Sequence, residues 1–274
     1  MSQLTKHSSS IILASISGLA AFSPAIADEG GPAKVTDNAQ VVFQEDFNGY
    51  ADGAFPSSLI EVQRCHYRYA EVRDRWLAIN MGGNPLLLLA PAVRDFSFSW
   101  QARAETGSEQ LPVEISFRAD GNLDKRAILA LFLKENTCDL TLSRPGNAPL
   151  RLTDLPAPVR SVQDSRRFEV EVAGDVLTVK IDGKEIHSFQ KAALPPGAGY
   201  VTIGFSQNAG LGGKVALPVF LKNLRLTSRD AGTPPIEKIW VHEFPIKIPN
   251  DIFVNFKDWN ADVKERVTIE RIRG

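Results

Sequence analysis

The chain has 274 residues, 43% hydrophobic, 8% aromatic and 23% charged, with a formal net charge of −1. That hydrophobic share is enough for a core and argues against a disordered chain. The near-neutral balance, with no block of basic residues, argues against nucleic acid as the main partner.

The N-terminus carries Lys6 and then no Lys, Arg, Asp or Glu until Asp28. Between them Ile11 to Phe22 is apolar, followed by Ser23, Pro24 and Ala25-Ile26-Ala27. A basic start, a short apolar run, a helix breaker and an A-x-A site predict a signal peptide over 1–27, cleaved after Ala27. The run is shorter than the ~20 residues that a membrane-spanning helix needs. No cysteine follows it, so a lipid anchor is not expected. The mature chain is therefore expected to be exported, to the periplasm or beyond, with no membrane span.

Residues 28–40 are small and polar, with Gly30-Gly31-Pro32, and read as a flexible leader. Val41 to Phe47 then reads as a strand, closed by the turn pairs Asn48-Gly49 and Asp52-Gly53. Arg64, His66 and Arg68 alternate along another. In Arg94 to Ala104, Phe96, Phe98 and Trp100 fall on one face, and Ser97, Ser99, Gln101 and Arg103 on the other. In the next strand Val113, Ile115 and Phe117 oppose Glu114, Ser116 and Arg118. A period of two marks half-buried strands. Asp120-Gly121 turns into Ala127 to Leu133, and Thr137 to Leu142 follows. Phe168 to Val172, Gly174-Asp175 and Val176 to Ile181 form the clearest hairpin, and Asp182-Gly183 turns again into Glu185 to Phe189. Tyr200 to Ser206 and Val215 to Thr227 are the last strands of the series.

No helical period is sustained after the signal peptide. The prediction is an all-β, two-sheet antiparallel jelly-roll sandwich over 41–228. Beyond a Pro/Gly corner at 230–235, residues 229–274 contain Trp240, Phe244, Phe253, Phe256 and Trp259. This is too aromatic for a disordered tail. It is expected to pack on the sandwich as a C-terminal extension, with docking to a partner protein as the alternative. The two cysteines, Cys65 and Cys138, permit one disulfide in an exported chain, or two buried thiols.

Three blocks carry a family resemblance: Phe43 to Phe47 with Gly53-Ala54-Phe55-Pro56, Phe168 to Val172 with Leu177 to Lys184, and Gly199 to Phe205 with Phe220 to Leu226. In this order they resemble the concanavalin A-like (laminin G-like) jelly roll. The opening block is similar to jelly-roll modules of bacterial envelope proteins. Glu114 to Arg118 and Asn223-Leu224-Arg225 resemble the 3-keto-disaccharide hydrolase branch. That branch carries an Asn-Ser-Gly where this chain reads Leu111 to Ile115. Folds of this type can hold a structural calcium near the first and last strands, and Glu45, Asp46 and Asn223 are the matching positions.

Catalytic motifs are absent. The laminarinase-type E-x-D-x-E string does not occur, and Glu169-Val170-Glu171 is the nearest acidic pair. There is no G-x-S-x-G elbow, phosphate loop or zincin helix. Asp120, Asn122 and Asp124 offer alternating oxygen ligands, but Lys125 stands where a calcium loop needs its glycine. No other cofactor is expected. The remaining site candidate is a polar sheet face made of Arg64, His66, Arg68, Trp76, Gln101, Arg103, Glu114 and Arg118, with Trp76 as an aromatic platform for a sugar. The expectation is a glycan-binding or envelope-associated jelly roll. The alternatives are a glycoside hydrolase and a structural partner of an envelope protein.

Overall fold

The computed structural model describes residues 39–61, 63–64, 70–80, 85–119, 125–205, 215–229, 238–243 and 266–270, with the backbone alone at 63–64, 238–243 and 266–270. The chain divides into Met1–Lys34 and Val35–Gly274, and every described residue lies in the second unit. The signal peptide, most of the leader, Cys65, His66, Arg68 and the 120–124 loop lie outside the described residues.

In chain order the strands are β1 (Gln40–Glu45), β2 (Leu59–Glu61), β3 (Gln63–Arg64), β4 (Ala70–Arg73), β5 (Trp76–Ile79), β6 (Leu86–Leu88), β7 (Phe96–Ala104), β8 (Leu111–Ala119) and β9 (Ala127–Lys134). They continue as β10 (Thr137–Arg144), β11 (Asn147–Pro156), β12 (Arg166–Ala173), β13 (Val176–Ile181), β14 (Lys184–Phe189), β15 (Tyr200–Gly204), β16 (Val219–Ser228), β17 (Lys238–Glu243) and β18 (Arg266–Glu270). Their lengths follow the alternating runs of the sequence. The hairpin turns fall at residues suited to left-handed backbone: Asp182 and Gly183, with φ of 50° and 78°, join β13 to β14.

An eight-stranded sheet runs β14-β13-β12-β7-β16-β5-β4, with β1 also on β16, and a seven-stranded sheet runs β11-β10-β9-β8-β15-β6-β2. With no helix among the described residues, this is an antiparallel two-sheet sandwich of jelly-roll type. A third, small sheet pairs β18 with β17 and β17, in parallel, with β3, so the C-terminal extension contributes strands.

The inward residues of the two large sheets form one core. Trp100 of β7 stacks on its cross-strand neighbour Phe168 of β12, with centroids 5.5 Å apart and planes 7° apart. Phe96 of β7 meets Phe117 of β8 edge-to-face at 5.7 Å, joining one sheet to the other. Such pairs add about 0.5–1.5 kcal/mol each beyond their buried area.

Three expectations are corrected here. First, β7 and β8 follow one another in sequence but belong to opposite sheets. Gln101 and Arg103 therefore do not share a face with Glu114 and Arg118. The reason is the connection: the chain crosses between layers at Glu105–Gln110 instead of turning back in the same sheet.

Second, Arg118 is a buried rim clamp and not part of an open polar face. In the pairing with β15, β8 spends an extra residue between Ser116 and Ala119, and Arg118 takes a φ of 50° there. That bulge swings its side chain off the sheet face, where it is 6% exposed. The guanidinium donates to the carbonyls of Arg94 (3.2 Å), Pro195 (2.9 Å) and Gly174, and to the Asp95 carboxylate (3.3 Å). Asp95 in turn accepts the Gly174 amide at 2.9 Å. Gly199 lies so close that a Cβ there would stand 2.2 Å from the carbonyl carbon of Arg118. The clamp and this glycine together hold the β15 entry against the bulge.

Third, Cys138 is a free thiol, fully buried on the inner face of β10. Burial pushes it up to about 12 and keeps it protonated and inert. It faces core side chains such as those of β9 and β10, where it behaves as a small apolar residue.

Two outcomes test this account. Phe168→Ala should cost about 3–5 kcal/mol of unfolding free energy, read by urea denaturation followed by circular dichroism. Arg118→Met should cost a similar amount, about 3–5 kcal/mol, because it removes one donor from each of three carbonyls and the cation beside Asp95. A loss under 1 kcal/mol in either measurement contradicts the packing described.

Candidate functional site

The outward face of the eight-stranded sheet is built around β16. One edge of this long strand is shared end to end: β5 pairs with Val219–Leu221 and β1 with Leu224–Ser228. Between these two stretches β16 carries a bulge. It spends three steps from Lys222 to Arg225 where β7 spends two from Gln101 to Ser99. Asn223 absorbs the extra residue with a φ of 51°, a conformation Asn tolerates better than most side chains. The bulge resets the phase of the strand. Leu221, Leu224 and Leu226 all point into the core, while Lys222, Asn223 and Arg225 reach the outer side. Re-aiming side chains is a regular use of bulges beside functional sites.

An open hollow of about 270 Å³ lies at this junction, lined among others by Ser99, Gln101, Arg167, Asn223, Arg225, Glu45 and Asp46. Small Ser99 on β7 leaves the space. Arg167 of β12 stands opposite Gln101, and Arg225 stands opposite Ser99. The Asn223 side-chain amide donates to Gln101 Oε1 at 3.0 Å, which fixes both amides.

Beside the hollow lies a cation–aromatic shelf. The Arg103 guanidinium sits 3.9 Å from the Phe220 ring centroid and 5.2 Å from that of Trp76, and Lys222 Nζ sits 5.7 Å from the Trp76 ring. Each such contact contributes about 0.5–2 kcal/mol and orders a long side chain that would otherwise be mobile.

Of the sequence candidates, Trp76, Gln101 and Arg103 come together here, and Asn223 joins them from the proposed metal set. Arg64 lies on β3, Glu114 and Arg118 lie on the opposite sheet, and His66 and Arg68 fall outside the described residues. Arg167, Phe220, Lys222 and Arg225 were not anticipated. A partial signal exists in the sequence: the apolar run Val219-Phe220-Leu221 is followed by Leu224 and Leu226, and the step of three from Leu221 to Leu224 breaks the period of two.

The calcium set does not fit a hard cation. Glu45 Oε1 accepts the Phe47 amide at 2.9 Å, and Oε2 accepts the hydroxyls of Ser58 at 2.6 Å and Tyr50 at 3.1 Å. Asp46 accepts the Asn48 amide and side chain at 2.9 and 2.8 Å. Both carboxylates are committed to their own turn, whereas calcium takes six to eight oxygens. Among the described residues no group of three or more His, Cys, Asp or Glu could hold a metal.

Glu169 and Glu171 share the outer face of β12 and hydrogen-bond to each other, with Lys180 at 3.7 and 2.7 Å. Burial, together with the bond to Glu171, raises Glu169 above the usual carboxylate range. Burial acts on Glu171 in the same direction, but the bonds from Lys180 and Glu169 outweigh it and hold Glu171 low. A retaining glycosidase keeps its two carboxyl groups ~5–5.5 Å apart on either side of the sugar. This pair is in direct contact and closed by a lysine.

No family model and no curated relative matches the chain. Solved structures match it at the level of the fold. SCLam, a non-specific endo-β-1,3(4)-glucanase from family GH16, aligns with a TM-score of 0.54 at 12% identity, over 73% of this chain and 98% of that one. A structure from work on endo-acting O-glycanases of the human gut microbiota aligns at 0.52 and 12%, over 70% and 100%. The endo-β-1,3-glucanase of Pyrococcus furiosus aligns at 0.50 and 11%, over 69% and 94%. The shared fold is the concanavalin A-like jelly roll.

The Glu169–Glu171–Lys180 cluster gives a pH-dependent prediction. Glu171, held low in the folded chain, contributes stability that is present above its unfolded pKa and is lost as pH falls. Glu169, held high, works in the opposite sense. Lys180→Met should therefore cost about 1–2 kcal/mol at pH 7, where two half-buried carboxyl groups lose their cation, and less at pH 3, where protonation removes the negative charge that Lys180 offsets, from Glu169 ahead of Glu171. Urea denaturation at the two pH values measures this, and an equal cost at both would show that Lys180 acts only through packing.

Proposed function

We propose that this chain is an exported carbohydrate-binding protein that holds its ligand on the outer face of the eight-stranded sheet without cleaving it. The observation that carries the reading is the hollow at the β16 bulge. Fixed amides, guanidinium groups and a hydroxyl converge there around a space of about 270 Å³. That is near the lower end of small-molecule sites, which suits a chain end or a short stretch of saccharide. Sugars are bound by planar polar groups of this kind.

The glucanases that share the fold act on or hold β-glucans, and this supports a saccharide here too. Hydrolysis is not part of the proposal. Cleavage needs two carboxyl groups flanking the scissile bond. At this hollow Glu45 and Asp46 are occupied by their own turn, and Glu169 is occupied by Glu171 and Lys180. Export is supported by the signal-peptide pattern of the sequence over 1–27.

The test is a glycan screen of residues 28–274, read for binding and for product release on the same sugars. Binding without product is expected. Gln101→Ala and Trp76→Ala should each weaken it about tenfold, in line with the loss of a hydrogen-bonding or cation-holding group. Their thermal midpoints should stay close to that of the parent protein. Release of shorter products would overturn the non-catalytic reading, and the absence of any bound glycan would overturn the carbohydrate reading.

A further inference from the structure

Around the hollow and the shelf beside it, donors and acidic acceptors differ in how far the protein itself satisfies them, and that difference bears on the chemistry of the ligand. Resting on the carbohydrate reading above, we infer that the ligand is an acidic saccharide, its carboxylate or sulfate held between Arg225 and Arg167 with Lys222 and Arg103 alongside.

A neutral sugar presents hydroxyl groups that both donate and accept. A site for it needs free acceptors as well as donors. Here the acidic acceptors are bonded within the protein, and the Gln44 amide and the Ser99 hydroxyl are the further side-chain acceptors of the lining. Both oxygens of Glu45 are bonded within the turn that follows β1, and Asp46 is bonded on both oxygens by Asn48. Gln101 Oε1 already accepts from Asn223. Glu169, beside Ser99, is shared by Lys180 and Arg167 at 3.7 and 3.8 Å.

The donors are in the opposite condition. Arg225 is exposed, and neither it nor Lys222 has a carboxylate partner among the described residues. Arg103 is held by aromatic rings and not by an acid. Arg167 is 59% exposed and has one carboxylate at 3.8 Å. Two of these cations, Arg167 and Arg225, line the hollow and the other two stand on the shelf beside it, while the acids in the lining, Glu45 and Asp46, are hydrogen-bonded within their own turn. Guanidinium groups pair with carboxylate and sulfate oxygens through parallel N–H donors, which gives geometric selectivity as well as charge.

The aromatic rings point the same way. A neutral pyranose binds by laying its C–H face on a bare ring, but Phe220 is 5% exposed and Arg103 covers it. The shelf presents charge to the ligand, with the rings as its backing. The bulge is what brings this charge together, since an unbroken β16 would turn Arg225 into the core.

The experiment is isothermal titration of residues 28–274 with four probes of matched length: an oligogalacturonate, a sulfated galactan oligomer, a neutral β-1,3-glucan oligomer and polyphosphate. At low salt at least one acidic sugar should bind about tenfold or more tighter than the neutral glucan, weakening as salt is added. Which of the two binds identifies the acidic group. Arg225→Gln and Lys222→Gln should each remove most of that preference, lowering the affinity for the acidic sugar far more than that for the neutral glucan. Neutral glucan binding as tightly as either acidic sugar would overturn this inference while leaving the carbohydrate reading intact. Equal binding of polyphosphate would overturn it as a generic polyanion effect. Binding of no sugar would sink both readings.

Discussion

One extra residue in β16 governs the outer face of the eight-stranded sheet. A strand with strict alternation would place Leu224 outside and Arg225 inside, burying a charge and exposing a leucine. With Asn223 left-handed, the chain changes phase within a single step, and both leucines and charges reach suitable surroundings. The hollow, the fixed amide pair and the cluster of cations are consequences of that phase change. A bulge in β8 works in the same way at Arg118. There the re-aimed side chain is drawn inward, to tie loops of both sheets to the sandwich rim. The two bulges show one backbone device serving two ends: exposed charge on one sheet and a buried clamp on the other.

The architecture was legible because period-two alternation and Asp-Gly turns are local signals. The hairpin of β12 and β13 and the strands β7 to β10 follow the sequence pattern closely. β11 was missed, since Pro149 and the mixed polar run of Asn147 to Pro156 look unlike a strand. It is an edge strand, mostly exposed, where a proline is tolerated and one-sided burial is not required. The site was legible only in part. Side-chain parity puts Gln101 and Arg103 on the face of their strand opposite Phe96, Phe98 and Trp100, and that is the outer face of the sheet. Parity carries no information on which sheet a strand joins, so Glu114 and Arg118 were grouped with residues across the sandwich. Arg225 escaped because alternation counted through the bulge assigns it to the core.

Charge on this protein is handled in two distinct ways. At Arg118, Asp139 with Lys134, and the Glu169–Glu171–Lys180 cluster, charged groups are enclosed and mutually satisfied. Their desolvation is offset by several bonds each, and removing one partner strands the others. At the hollow and its shelf, Arg103 and Lys222 stand against rings, and neither Lys222 nor Arg225 is paired with a carboxylate among the described residues. That contrast, more than net charge, separates a surface that maintains the fold from one arranged to meet something else.

The shared edge of β16 has a consequence for how the protein reports on itself. The walls of the hollow come from Glu45–Asp46, Ser99–Gln101, Arg167 and Asn223–Arg225, segments separated by long stretches of chain. They become neighbours only when the first strand, the central strands and the last strand of the sheet have all joined. No fragment and no half-assembled intermediate can present the same surface. Ligand affinity is therefore thermodynamically linked to completion of the whole topology, and any molecule that occupies the hollow favours the fully closed sandwich over every partly folded form.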